Sequence, residues 1–124
     1  MDEATAPLFR QIATFVEDSI VDGTLSPGDR APSTNELAAF HHINPATARK
    51  GMTLLVDNGV LEKRRGIGMF VTAEARTLII SRRRDDFAEA YLAPLIDEAV
   101  ILGFTRADIH RLIDAVAESR GLYR

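Results

Sequence analysis

The sequence contains no cysteine and no tryptophan, and aromatic residues make up only 6% of its 124 positions. Without cysteine there is no disulfide, no thiolate metal site and no cysteine nucleophile, a composition at home in a reducing compartment. Long apolar runs are missing too: nothing approaches the roughly 20 consecutive apolar residues of a membrane span. The start, "MDEATAPLFRQ", is acidic and lacks the apolar heart of a signal peptide. A cytoplasmic chain with no membrane partner is expected. Also absent are a phosphate-cradling glycine loop, a dinucleotide fingerprint and a G-x-S-x-G nucleophile turn. Of the three histidines, His41 and His42 are neighbours and His110 stands one helical turn from Asp114. That His/Asp pair could supply half of a metal site, but no third and fourth ligands accompany it. The chain is therefore expected to be no enzyme, with no metal and no cofactor.

What is present is ordinary globular material with uneven charge. Hydrophobic residues make up 46% and charged residues 27%, with a net charge of −3. The length allows one modest core and a small appendage, not two full domains. Met1–Asp29 carries one basic residue against six acidic ones, Arg30–Val71 six against three, and Thr72–Arg124 eight against nine. The basic middle is where a polyanion would be met.

Leu8, Ile12, Phe15, Val16 and Ile20 recur at helical spacing, which predicts an amphipathic helix over Pro7–Val21, closed by Gly23 and the turn-rich "SPGDR". In "PSTNELAAF", Ser33 with Glu36 three residues on makes a capping box, and Leu37 and Phe40 are expected to face the core of a short second helix. After "HHI", Asn44 can cap and Pro45 suits the first helical position. The third helix should run to about Asn58, burying Ala48, Met52, Leu55 and Val56, before Asn58-Gly59 stops it. Two short helices across a tight turn form a helix-turn-helix, whose second member inserts its N-terminal residues into the DNA major groove.

The period then changes. "VLEKRRGIGMFV" reads as strand, turn, strand: Val60 and Leu61 apolar, Lys63 to Arg65 basic, Gly66 and Gly68 at the turn, Met69 to Val71 closing it. A basic hairpin directly after a helix-turn-helix is the wing of a winged-helix domain. From Thr72 on the pattern is helical again, with Phe87, Tyr91 and Leu95 in one row and Ala88, Leu92, Ile96 and Ala99 in the next. Pro94 interrupts this helix, Gly103 ends it, and Thr105 with Asp108 starts the last one, striped by Ile109, Leu112, Ile113 and Val116. The fold class is α+β and mostly helical: a winged helix-turn-helix domain over residues 1–72 and an antiparallel helical hairpin over 73–124.

Two passages, "PLFRQIATFVEDSIVDGTLSPGDRAPSTNELA" and "INPATARKGMTLLVDNGVLEKRRGIGMFV", together resemble the GntR family of bacterial transcriptional regulators. The tail "YLAPLIDEAVILGFTRADIHRLIDA" is similar to the short two-helix region of its YtrA-type subfamily, so nearly the whole chain is covered. The resemblance implies a homodimeric repressor on a pseudo-palindromic operator of double-stranded DNA. It also implies DNA contacts at Pro45, Ala46, Thr47 and Arg49, and in the wing at Arg64, Arg65 and Gly66. Relatives carry Pro-Ser-Glu-Arg at the second helix; here Ser33 is kept, but Asn35 puts an amide where they have a cation. YtrA-type members often place the recognition-helix arginine one residue later, where this chain has Lys50.

The chemistry of these residues fits. An exposed helix start offers unpaired N–H groups and a positive dipole end to phosphate. Thr47 can meet a phosphate or a thymine methyl, and Arg49 can pair bidentately with guanine. The plainer alternative is that Asn44 and Thr47 only cap the helix while Arg49 is solvated. "SRRRDDF" reads as a self-neutralising helix face. The tail cannot bury both faces of its helices alone, so a second copy is expected to cover Tyr91, Leu92, Leu95, Ile96, Ala99, Ile109, Leu112 and Ile113. The tail is too short for the larger effector domains of the family, and any small-molecule effector would sit at the dimer interface or between tail and head. The rival reading is a winged-helix module that binds an acidic protein instead of a particular DNA sequence.

Overall fold

The structure, a computed structural model, describes residues 6–124; the acidic start weighed above for a signal peptide falls partly on Met1–Thr5, which lie outside them. Apolar side chains repeating every three to four positions make Leu8–Val21 a helix, α1, that buries Ile12, Ala13, Val16 and Ile20. Leu8 and Phe15 share the sequence stripe but remain 55% and 40% exposed. The second helix, α2 (Thr34–His41), opens on the expected capping box. The Glu36 N–H donates to the Ser33 hydroxyl at 3.0 Å, and the Ser33 N–H donates back to the Glu36 carboxylate at 3.1 Å. Leu37 is buried, but Phe40 is 71% exposed and does not face the core. Leu37 and Ala38 fix the buried direction of this short helix, and Phe40 falls outside it. Its ring lies instead against Phe15 and His41, with centroids 6.1 and 4.9 Å away.

His42 adopts the left-handed region at the turn, φ 56°, and α3 (Pro45–Asp57) follows. Ala48, Gly51, Met52 and Leu55 are its buried residues, while Val56 is only half-buried. Gly51 explains how α1 and α3 approach. A Cβ there would stand 2.6 Å from the Phe9 carbonyl oxygen and 3.2 Å from the Ile12 Cβ, so the helices meet where a side chain is missing. A mid-helix glycine costs about 1 kcal/mol against alanine, and close packing of α1 offsets that cost.

The wing pairs β1 (Leu61–Arg64) with β2 (Gly68–Val71) antiparallel, Leu61 opposite Val71 and Arg64 opposite Gly68. Val60 lies before the strand, and Gly68 opens β2 instead of lying in the turn, which leaves Arg65–Ile67 as the loop. On the other edge of β2, Arg30 bridges Phe70. The Ala31 N–H donates to the Met69 carbonyl at 2.8 Å and the Val71 N–H to the Asp29 carbonyl at 2.9 Å. The chain entering α2 thus serves as a third, minimal strand.

Next, α4 (Ala75–Phe87) buries Ala75 and Ile79. Two arginines of "SRRRDDF", expected in a self-neutralised helix face, reach acidic residues of α1. Arg82 donates through both terminal nitrogens to Glu17 of α1, each at 2.8 Å, and Arg83 donates to Asp18 at 2.7 Å. Sequence spacing along one helix could not reveal this, because the acidic partners lie 65 residues away. Glu17 is 4% exposed, and the fork of Arg82 supplies the bidentate pairing that a buried carboxylate requires.

Residues up to Asp85 form one compact unit and Asp86–Arg124 a second. The first turns of α4 belong to the first unit, where Ile79 joins the core and Arg82 and Arg83 pair with Glu17 and Asp18 of α1. In the second unit the helix widens to a π-helical turn over Ala88–Leu92, just ahead of Pro94 in α5 (Ala93–Ile101). Proline brings no N–H and its ring collides with the carbonyl four residues back, so an α-helical ladder cannot pass through it unchanged. α6 (Arg106–Ser119) begins at the expected Thr105–Asp108 capping box.

Candidate nucleic-acid interface

Asn44 shapes the start of α3. Its side-chain oxygen accepts the Ala46 N–H at 2.7 Å, and its carbonyl accepts the N–H groups of Thr47 and Ala48 at 3.0 and 3.2 Å. Pro45 has no N–H at all. The unpaired donors expected at this helix start are therefore already engaged. What α3 offers an anion is its positive dipole end and its side chains.

Those side chains divide cleanly. With Ala48, Gly51, Met52 and Leu55 turned inward, Ala46, Arg49, Lys50 and Thr53 are exposed, and Thr47 is half-buried. Arg49 makes no ion pair among the described residues. Lys50 is held: its ammonium lies 4.2 Å from the centre of the Phe9 ring on α1. The two adjacent cations thus differ in freedom, which their sequence order does not reveal. Phe9 was missed as a site residue because it reads as one more apolar position of α1.

On α2, Ser33 is committed to its capping box and Asn35 is exposed. Donation by the Ser33 backbone N–H, then by its hydroxyl, holds the Glu36 carboxyl below the usual carboxylate range. In the wing, Arg65 and Gly66 stand exposed in the loop, with Ile67 59% exposed beside them. The Arg64 guanidinium lies 4.2 Å above the Phe70 ring and 3.8 Å from Glu62. A cleft of about 330 Å³ separates the wing tip from the start of α2, lined by Arg30, Ser33, Thr34, Lys63, Arg64 and Gly66 among others. Arg30 was not singled out by sequence, and Lys63 was read only as part of the basic hairpin. Arg30 sits in a turn-rich stretch, and only the bridge to Phe70 brings it to the wing. Among the described residues no three histidine, aspartate or glutamate side chains gather to hold a metal ion, and no helix is long and apolar enough to cross a membrane.

The sites expected to meet a second copy lie in the other unit. Tyr91, Leu92, Leu95, Ile96, Leu112 and Ile113 are 39–59% exposed, Ile109 is half-buried, and Ala99 is covered within the chain at 6%. An apolar trough of about 530 Å³ runs between α5 and α6, floored by Leu95, Ala99, Ile109, Leu112, Ile113 and Val116.

Two helices crossing a tight turn, the second with an exposed basic start, followed by an antiparallel basic hairpin, make a winged helix-turn-helix DNA-binding domain. The profile of bacterial regulatory proteins of the gntR family matches residues 8–71, the span of α1 to β2. The chain belongs to that family. The transcriptional repressor YtrA of Bacillus subtilis (strain 168) is 28% identical over 114 residues, 92% of this chain and 87% of that protein. The mannosyl-D-glycerate transport/metabolism system repressor MngR of Escherichia coli (strain K12) is 35% identical over 68 residues, which span 55% of this chain and 28% of that one. Among solved structures, a GntR family regulator from Listeria monocytogenes superposes with a TM-score of 0.70 at 26% identity, covering 93% of this chain and 98% of its own. The DNA-binding domain of AraR, solved in complex with operator ORX1, gives 0.54 at 29% identity over 58% of this chain and 87% of that one. The relatives are transcriptional regulators, not enzymes, and this chain is a DNA-binding regulator of the same family.

Proposed function

We propose that the protein is a cytoplasmic, homodimeric repressor that reads a pseudo-palindromic operator, one half-site per protomer. The observation that carries the DNA reading is the exposed start of α3, where Ala46 and Arg49 stand clear of the core. AraR, whose corresponding domain was solved on its operator, supports the same docking for this chain. YtrA and MngR are both repressors, which supports repression as the outcome. Residues 1–72 serve as the reading head. The residues beyond them, centred on the unit Asp86–Arg124, hold two heads at the spacing of the half-sites.

Within the head, Arg49 is the base reader, free to set its guanidinium fork against guanine O6 and N7. Lys50, drawn over Phe9, meets the sugar–phosphate backbone as a point charge. Ala46 and Thr47 lie against the groove floor, and Asn44 and Pro45 fix the helix start. Arg65 and Gly66 follow the backbone at the wing tip, and Ser33 and Asn35 approach a phosphate from α2.

Selection of bound duplexes from a random pool at physiological salt should enrich an inverted repeat. Absence of enrichment from folded protein would favour the protein-binding module. On the selected duplex, Arg49→Ala should cost about 1–3 kcal/mol and relax preference at one base pair. Lys50→Ala should weaken selected and scrambled duplexes by the same factor. The reverse pattern would assign base reading to Lys50.

A further inference from the structure

The register of the wing places two arginines on one face. Residues directly opposite in an antiparallel ladder share a face, as do alternate residues along a strand. Phe70 faces Glu62 on β1 and Arg30 on the other edge, and Gly68 faces Arg64. Arg30, Arg64, Gly68 and Phe70 therefore stand on the same side of β2. Each guanidinium reaches diagonally: Arg64 lies over Phe70, and Arg30 lies over Gly68. A Cβ on Gly68 would stand 2.9 Å from the Arg30 Nε, and its φ of +141° is one that side-chain-bearing residues rarely adopt. Glycine here is the flat seat of a guanidinium.

Arg30 forms no ion pair among the described residues and is exposed. The carboxylates in its surroundings are otherwise engaged, Glu36 in the capping box and Glu62 at 3.8 Å from Arg64. Arg30, Lys63 and Arg64 border one cleft between the wing and α2. Two guanidiniums thus border this cleft on one face of the wing, Arg64 over the Phe70 ring and Arg30 over Gly68, and a guanidinium is suited to a phosphate.

We infer that this cleft seats a phosphate of the DNA backbone, with Arg30 as a contact beyond the recognition helix and the wing loop, and Gly68 as the residue that positions it. The inference rests on the DNA-reading head proposed above. Seated this way, the phosphate fixes the wing relative to α2 and carries no base information.

The test is fluorescence-anisotropy titration of the full chain against the selected duplex and a scrambled one, across a range of salt concentrations. Arg30→Gln removes an exposed side chain and should leave the fold intact. It should weaken both duplexes by one common factor, about three- to tenfold near 0.15 M salt, and lower the slope of log K against log salt by about 0.9 per protomer. Gly68→Ala, which keeps the charge but displaces it, should also weaken both duplexes. Wild-type affinity and slope for Arg30→Gln would overturn the contact, and so would a loss confined to the selected duplex. An unchanged slope with Arg30-dependent calorimetric binding of inorganic phosphate alone would give the cleft to a free anion and overturn it as well. A wild-type chain that binds neither duplex would remove the DNA reading itself, and this contact with it.

Discussion

Met52, Leu55 and Ile79, in the unit that ends at Asp85, are at most 1% exposed, whereas Leu95, Leu112 and Ile113, in the unit that follows, are 39–46% exposed. Both sets are large aliphatic residues at helical spacing. The difference lies in what surrounds them. In the head, three helices, a hairpin and the first turns of α4 cover one another, so most of each apolar stripe finds a neighbour. In the tail, two helices and a π-helical turn enclose only Ala99. An apolar stripe shows which face wants covering, and the element count around it decides whether the chain can do so alone. The proposed second copy would cover what the tail leaves open.

The sharpest way to break this contrast is to charge the tail. Leu95→Asp places a carboxylate on the apolar floor between α5 and α6, where a second copy is proposed to pack. Desolvating it costs several kcal/mol, so sedimentation should show a monomer, and affinity for the selected duplex should fall by about a hundredfold or more as the half-sites are read singly. Helical content of the head should persist. A variant that stays dimeric would place the interface elsewhere and remove the reading of the tail as an incomplete core.

The head should respond in the opposite way, to a gain of volume. Alanine is the better helix former by about 1 kcal/mol, so propensity alone makes Gly51→Ala stabilising. The new Cβ would meet the Phe9 carbonyl at 2.6 Å, however, and backbone cannot swing aside as a side-chain tip can. Overpacking of this kind costs about 1–3 kcal/mol, so the net effect in urea unfolding should be destabilising. A stabilised variant would show that α1 and α3 can slide apart, and that the head is looser than its burial implies.

Periodicity and turn chemistry made the elements of both units legible from sequence. Both capping boxes, the Asn44–Pro45 start, the stop at Asn58-Gly59 and the basic hairpin depend on neighbours within a few positions, and each forms at or next to the expected residues. What sequence could not supply was long-range: Glu17 under Arg82, Phe9 under Lys50, and Arg30 beside Gly68. Each pairing joins two elements that only the fold brings together. Phe40 shows the converse error, since an apolar residue on a helix of only eight positions has little periodicity to say which way it points. For the candidate site, residue types and resemblance marked the recognition helix and the wing loop, but gave no reason to separate Arg49 from Lys50.

The smallest effect offers the finest comparison, because the same device caps a helix in each unit. Ser33 holds Glu36 at the start of α2, and Thr105 holds Asp108 at the start of α6. In both, donation by the cap's backbone N–H is the leading cause that lowers the carboxyl's pKa. A carboxyl lowered in the folded state contributes stability that is fully present above its unfolded value, about 4 for either residue, and lost as pH falls through the folded value. Glu36→Gln and Asp108→Asn should therefore each be slightly less stable than wild type at pH 7 and converge with it on acidification. The two should differ in what else they move. If the tail folds in step with association, Asp108→Asn must also weaken the dimer, because whatever frays α6 raises the cost of pairing. Glu36→Gln should lower the melting temperature of the head and leave the dimer dissociation constant unchanged. Sedimentation equilibrium on both variants at pH 7 decides it. Equal weakening of association by both would mean that head and tail are one energetic unit, despite the difference in how they bury their apolar residues.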